Sequence, residues 1–280
     1  MSDGTQTNRT YALGQSAEET ARLEKQAQLW NPSTRRLLEE SGIGAGMKVL
    51  DVGTGAGDVA LLAADLVGPS GTVVGVDADP AVLDRARERA RATGRPNVSF
   101  VTGDLHGVAL DDDFDAVVGR AILGHQALPA ETLRAVAGHV RPGGIVAFQE
   151  IDMSNGLFDA PPSPLHQLQR DWTVRAFGRA GVDLMIGLKL HRVFLDAGLP
   201  APRMHLYAPV GAGPDWAGYD FLARTFRAAL QMAQAHGLAT ADEVAAIDVD
   251  TFATRLRDEV VGQRGVITLT PYVGAWVRKP

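Results

Sequence analysis

Val49-Leu50-Asp51-Val52-Gly53-Thr54-Gly55-Ala56-Gly57 is an apolar strand that runs into a glycine loop and on into a helical stretch. Glycines at such a corner let the backbone turn sharply and let a ligand approach the main chain. A glycine loop alone is shared by many dinucleotide and nucleotide proteins. The spacing here is Gly-x-Gly-x-Gly, which is not the Gly-x-Gly-x-x-Gly of the dinucleotide fingerprint. Asp51 also stands two residues before the first glycine, where it would repel a pyrophosphate and suit a ligand carrying an ammonium group.

Downstream, the next strand ends Val73-Val74-Gly75-Val76-Asp77. A carboxylate at a strand end about 20 residues past the loop can accept both hydrogen bonds of a ribose diol. The third strand runs into Gly103-Asp104-Leu105, an acid that can accept from an adenine amine beside an apolar side chain. Strand-like runs at Lys48–Val52, Thr72–Asp77, Val98–Thr102, Phe114–Val118 and Gly144–Glu150 alternate with helical stretches. That alternation predicts a parallel α/β sheet with helices on both faces. Two later strands are expected at Pro202–Val210 and Gly265–Val277. Before the sheet, Ser16 to Glu19 reads as a capping box, and Asn31-Pro32 reads as the restart of a second helix that Gly42 ends. The expected organisation is a helical hairpin cap over 1–43, behind a tail at 1–13, and a sheet domain over 44–280. Helical insertions at about 153–181 and 214–262 are expected to form a lid over the carboxyl ends of the strands, where such sheets bind ligands.

With Phe114-Asp115-Ala116-Val117-Val118 and Arg141-Pro142-Gly143-Gly144, these motifs resemble the class I S-adenosylmethionine-dependent methyltransferases of small-molecule type, strongly over residues 44–150. The resemblance implies a Rossmann-like doubly wound, seven-stranded sheet whose last strand is antiparallel. It implies S-adenosylmethionine as cofactor, with Asp51, Gly53, Thr54 and Gly55 around the methionine part, Asp77 and Ala78 at the ribose, and Asp104 and Leu105 at the adenine. By the same resemblance Tyr11 would fold over the cofactor. Arg120, after the fourth strand, would meet its carboxylate or else form a structural ion pair, for instance with Asp115 or Glu150.

Methyl transfer from a sulfonium needs alignment, exclusion of water and, for a hydroxyl acceptor, removal of a proton. His125 is the best-placed histidine for that proton, and Glu150, at the end of the fifth strand, is the second candidate, with Asp152 beside it. His166 and Trp172 fall on a helical stripe with Leu165, Leu168 and Phe177 that reads as a core face. His191 reads as a structural histidine. No metal site is expected, since no His, Asp or Glu grouping has ligand spacing, and Asp111-Asp112-Asp113 reads as a solvated turn.

The composition narrows the function classes. The 280 residues are 45% hydrophobic, carry a net charge of −6 and include no cysteine. Thiolate chemistry and disulfides are excluded, and nucleic acid, which needs concentrated positive charge, is disfavoured. After the fourth strand the chain reads Gly119-Arg120-Ala121-Ile122, not the Asn/Asp-Pro-Pro-Tyr of amino-methylating DNA enzymes. No apolar run reaches the ~18 residues of a membrane span, and no signal peptide is visible, so a cytoplasmic protein is expected. The reading is therefore O-methylation of a small molecule in secondary metabolism, with a homodimer left open. The alternatives are a non-methylating S-adenosylmethionine-binding protein or cyclase on the same fold, and an NAD-dependent oxidoreductase.

Overall fold

The computed structural model describes residues 17–280 except 109, 111, 112 and 157, so Tyr11, the tail and the Ser16 cap lie outside the described residues. In chain order the elements are α1 (Ala17–Ser41), β1 (Lys48–Val52), α2 (Asp58–Val67), β2 (Thr72–Asp77), α3 (Pro80–Ala92), β3 (Val98–Thr102) and β4 (Phe114–Arg120). A short helical turn at Leu123–His125 precedes α4 (Pro129–Gly138) and β5 (Val140–Ile151). Then come α5 (Pro164–Arg179), α6 (Leu190–Asp196), β6 (Arg203–Tyr207), β7 (Val210–Gly211), α7 (Gly218–Ala235), α8 (Ala241–Ile247), α9 (Phe252–Gly262), β8 (Ile267–Thr268) and β9 (Tyr272–Arg278).

Seven strands form one sheet in the order β3-β2-β1-β4-β5-β9-β6, and β9 alone runs antiparallel to both its neighbours. This is the expected α/β sheet with its antiparallel last strand. Strand alternation sorts the core onto two faces. Val49, Ala116, Val118 and Ile145 pack with α2 and α3 residues such as Ala60 and Leu83 on one face. Leu50, Val117, Val146 and Phe148 pack with Leu133 of α4 and Phe194 of α6 on the other. Each fully buried Leu, Val or Phe contributes about 1.5–3 kcal/mol, so both faces are well anchored.

Local signals set the helix boundaries. Asp79 caps α3 by accepting from Ala81 N at 2.9 Å, with Pro80 in the first turn. Ser163 caps α5 and Thr240 caps α8 through a complete capping box with Glu243. Gly42, at φ 95°, closes α1, and Ile43 N reaches back to Leu38 O at 3.0 Å.

Two expectations are corrected. The hairpin before the sheet is one continuous helix, α1, with Pro32 inside it. Ser33 Oγ donates to Trp30 O at 2.9 Å, and Thr34 Oγ1 lies 3.1 Å from the same carbonyl. Packing holds the two halves in line: Trp30 is buried with α7 and α9 residues, and Leu37 and Leu38 are buried against the sheet. The expected strand Gly265–Val277 divides into β8, which pairs with β7, and β9, which enters the main sheet.

Beyond β5 the chain builds a helical layer. α7 packs on α1, α5, α8 and α9. Trp30, Tyr219, Phe226, Phe252 and Tyr272 form one buried cluster there, with Ala121 and Ile151 at its edge. Those two residues mark the carboxyl ends of β4 and β5, so the layer lies over the end of the sheet where the candidate site is found.

Candidate active site

The glycine loop is held open by contacts at both of its ends. Gly53, Gly55 and Gly57 have φ of 64°, 52° and 84°, the left-handed region where a side chain is strained. A Cβ on Gly53 would stand 2.1 Å from Ile122 Cδ1, whereas one on Gly55 would meet nothing within 4 Å. Thr54 N donates to Val76 O at 2.9 Å and its hydroxyl donates to Asp51 Oδ2 at 2.6 Å. Asp51 is itself fully buried beneath the loop, and burial pushes its carboxyl up to about 7 against the pull of Thr54 and Arg120. It supports the loop from below.

Asp77 stands at the end of β2 with its carboxylate already oriented. Oδ2 accepts from Gly55 N at 2.9 Å and Oδ1 accepts from Asp79 N at 3.0 Å. Burial raises its pKa, opposed by those amides. Ala78 beside it is exposed. Asp104 is also exposed, with Oδ1 accepting from His106 N at 2.8 Å, while Leu105 packs half-buried against the core. Gly103 N donates to Asp77 O at 3.0 Å, which ties the two strand ends together.

Arg120 is buried, at 6% side-chain exposure. It pairs with Asp58 at 3.5 Å and donates to Asn31 Oδ1 at 3.1 Å and Thr34 Oγ1 at 3.0 Å. Its acid partner is therefore neither Asp115, which takes Arg141 at 2.7 Å, nor Glu150. Thr34 in turn donates to Gln149 Oε1 at 2.6 Å, and Gln149 Nε2 donates to Ser33 Oγ at 2.9 Å. Asn31, Thr34, Asp58 and Gln149 were not read from the sequence as parts of this network. Their spacing carries no signal, because each contact joins elements far apart in the chain.

Immediately after β4, Ala121 adopts φ 55°, a rare conformation for a residue with a side chain. It redirects the chain into the Leu123–His125 turn, which Glu150 holds. Glu150 accepts from Ile122 N at 2.9 Å, Leu123 N at 2.8 Å and Gly124 N at 3.4 Å. Burial pushes its carboxyl up to about 7 while the three amides pull it down. His125 is half-buried at the end of that turn. Asp152 is committed to the next loop through Ser154 and Leu188 N, the latter at 2.7 Å.

The remaining histidines divide. His166 is buried and pairs with Asp159 at 2.8 Å, and Phe177 is buried, as a core face requires, although Leu168 is 38% exposed. His191 is exposed on α6, which corrects the expectation that it is a structural residue. Among the described residues no group of three or more His, Asp or Glu converges as a metal requires, and no helix is long and apolar enough to cross a membrane.

The donor set fits S-adenosylmethionine. The space over Gly55 admits a ligand, and a carboxylate stands ready at the end of β2.

The chain is similar to known proteins over part of its length. The chain is 31% identical over 54% of its length to an arsenite methyltransferase of Halobacterium salinarum, covering 38% of that protein. It is 35% identical over 41% of its length to the ubiquinone/menaquinone biosynthesis C-methyltransferase UbiE of Ectopseudomonas oleovorans, covering 68% of it. Other curated relatives are matched over 32% to 52% of their length. The solved structure of YcgJ from Bacillus subtilis shares the fold at a TM-score of 0.57 and 17% identity, over 89% of this chain and 99% of that one. The model of the methyltransferase domain family matches residues 43–183, half of the chain, spanning β1 to β5 and the glycine loop, and this protein belongs to that family.

Proposed function

We propose that this protein transfers the methyl group of S-adenosylmethionine to a hydroxyl of a small molecule. The observation that carries the reading is the Asp77 carboxylate, fixed at the end of β2 by Gly55 N and Asp79 N beside an open glycine loop. In this reading Gly53, Thr54 and Gly55 line the methionine part, Asp77 and Ala78 hold the ribose, and Asp104 and Leu105 frame the adenine. Arg120 lies beside the loop, at the methionine end. Tyr11 is assigned to cover the cofactor. The division into a cap over 1–43 and a sheet domain over 44–280, with the helical layer as lid, belongs to the same proposal.

S-adenosylmethionine supplies an electrophilic methyl on a good leaving group. The chain's residues then have to place the acceptor and take its proton. His125 is assigned as the base, and Glu150 as the residue that positions the turn carrying it. Imidazole is suited to a hydroxyl near neutral pH, which is why oxygen is chosen as the acceptor atom. The relatives named for carbon and arsenite methylation leave that choice to experiment. Arsenite, being thiophilic, is a poor fit to a chain without a thiol.

The test is a small-molecule library incubated with S-adenosylmethionine and read by mass spectrometry for products heavier by one methyl. His125→Ala should lower turnover while S-adenosylhomocysteine binding, read by calorimetry, stays unchanged. Binding of NAD in place of S-adenosylhomocysteine would overturn the reading. Tight binding with no methylated product would favour the non-methylating alternative.

A further inference from the structure

The turn that carries His125 is held by more than Glu150. Glu150 takes the amides of Ile122, Leu123 and Gly124. The carbonyl of Gly124 goes elsewhere, to the loop 183–188 between α5 and α6. Asp183 N donates to Gly124 O at 2.8 Å, so both polar groups of the Gly124 backbone are engaged. A Cβ on Gly124 would stand 2.7 Å from Asp183 O and 3.3 Å from Ile186 Cγ2. No side chain fits in that gap, so the loop lies directly on the turn.

Asp152 holds that loop in turn. Its Oδ2 accepts from Leu188 N at 2.7 Å, while Oδ1 accepts from Ser154 N at 3.0 Å and from the Ser154 hydroxyl. Around it, the loop and the end of β5 exchange main-chain bonds. Met153 N donates to Leu184 O at 2.8 Å and Gly187 N donates to Ile151 O at 3.0 Å. A Cβ on Gly187 would meet Asp152 Cβ at 2.8 Å, so loop and acid are in close contact. Asp152 is 3% exposed, and Leu184, Ile186 and Gly187 are buried. A buried segment outside helix and strand must find partners for its backbone groups, and the Asp152 carboxylate supplies one. Asp183 ties the loop to itself, with Oδ1 accepting from Met185 N at 2.9 Å and Oδ2 pairing with Lys189 at 2.5 Å. Ile186 also shares a core cluster with Leu123 of the turn.

These contacts run without a break from Asp152, through the loop, to the residue before His125. A general base must lie within hydrogen-bond reach of the proton it takes, and a misplacement of about 1 Å can cost about a hundredfold in rate. Whatever seats Gly124 therefore fixes where His125 starts. Glu150 takes the amides of the turn, whereas Gly124 O needs a donor, and the loop brings it. Building on the methyltransferase reading above, with His125 as base, we propose that Asp152 is a positioning residue. It holds the loop 183–188 against Gly124 and so seats the turn that carries His125.

Histidine ring resonances test this without turnover. The full chain, isotope-labelled at histidine and saturated with S-adenosylhomocysteine, is read by NMR, and the His125 signal is assigned by its loss in His125→Gln. Asp152→Ala should displace the His125 signal and leave that of His205, on β6, in place. Hydrogen exchange at Gly124 N–H and Asp183 N–H should quicken at least about tenfold, while Thr54 N–H in the glycine loop stays as it was. S-adenosylhomocysteine affinity should stay within about twofold of wild type, because Asp77 is oriented by Gly55 and Asp79. Asp152→Asn keeps an acceptor oxygen for Leu188 N, so its His125 signal should lie between those of Asp152→Ala and wild type. Asp183→Ala, at a side chain 40% exposed, frees Met185 N and Lys189 and should displace the His125 signal as well. The proposal is overturned if Asp152→Ala quickens exchange at Leu188 and Ser154 alone, with His125 and Gly124 unchanged, since the acid would then only anchor its own loop. An unmoved His125 signal in Asp183→Ala overturns it too. Should Asp152→Ala not fold, Asp152→Asn decides, a displaced His125 signal supporting the seat and a superimposable one sinking it. If wild-type protein fails to bind S-adenosylhomocysteine, the methyltransferase reading falls, and the same spectra of the free chain still decide whether Asp152 seats the turn.

Discussion

Two residues show how single side chains set the site. Asp77 spends one oxygen on Gly55 N and the other on Asp79 N, so its carboxylate is oriented before any ligand arrives. Asp77→Ala removes the ribose partner of the proposed reading and also releases the loop. S-adenosylhomocysteine affinity should fall at least about a hundredfold, near 3 kcal/mol, by calorimetry, because hydrogen bonds to a charged group are each worth about 1.5–3 kcal/mol. Affinity within threefold of wild type would place the ribose elsewhere. Ala121 is the second case, because its φ of 55° costs about 1–2 kcal/mol in a residue with a Cβ. Ala121→Gly should leave the urea midpoint unchanged or raise stability by up to about 1 kcal/mol, offset by the freedom glycine gains when unfolded. Ala121→Val should cost about 2 kcal/mol or more, since branching at Cβ is least tolerated at positive φ. If the glycine variant loses turnover without losing stability, the strain at the end of β4 serves the placement of the His125 turn.

At the scale of elements, the docking of α1 on the strand ends depends on Gln149, whose amide bridges Ser33 and Thr34. Gln149→Leu should remove the amide's bonds to both hydroxyls, which keep Trp30 O as an acceptor, and cost about 1–2 kcal/mol in urea unfolding. A loss below about 0.5 kcal/mol would mean that apolar contacts alone seat the helix. This bridge also marks where reading the sequence stops. The strand–loop–helix unit, the strand-end acids Asp77 and Asp104, and the caps at Asp79, Ser163 and Thr240 are local patterns, and the chain writes them plainly. The path of α1 is not local. Asn31-Pro32 carries the signature of a helix start, yet the helix continues because Trp30 is buried in one cluster and Leu37 and Leu38 in another. Arg120 could be placed at a strand end from sequence, but its partners Asp58, Asn31 and Thr34 come from two other elements. Glu150 reads from sequence as a second candidate for the acceptor's proton, whereas folding turns it onto the backbone amides of Ile122, Leu123 and Gly124. Side-chain direction at a strand end is decided by the neighbouring loop, which no spacing rule records.

For the molecule as a whole, two buried acids give stability a dependence on pH. Burial pushes both Asp51 and Glu150 up to about 7. In the unfolded chain they return to the ordinary carboxylate range, about 4. Between that range and about 7 the folded protein therefore holds protons that the unfolded chain has released. The stability slope is negative there, since the native state binds more protons than the unfolded one. Stabilisation from these groups is fully present below the unfolded pKa, is lost as pH rises, and levels off above about 7. Carboxylates with lowered pKa, Glu40, Asp115 and Glu243, act with the opposite sign only at lower pH, where they begin to protonate. The window from about pH 5 to about pH 7.5 thus isolates the raised acids. Unfolding free energy should fall by about 1–3 kcal/mol across it, at 1.36 kcal/mol per pKa unit and with the amide and hydroxyl bonds to both groups opposing the full shift. Asp51→Asn keeps a group of the same size under the glycine loop and cannot ionise, so its slope should be shallower than that of wild type. Parallel urea titrations of the two proteins at several pH values across the window read the difference directly. Superimposable slopes would mean that Asp51 is already ionised in the folded state, held so by the hydroxyl of Thr54 and the charge of Arg120. The acid beneath the loop would then be a permanent charge and not a neutral support.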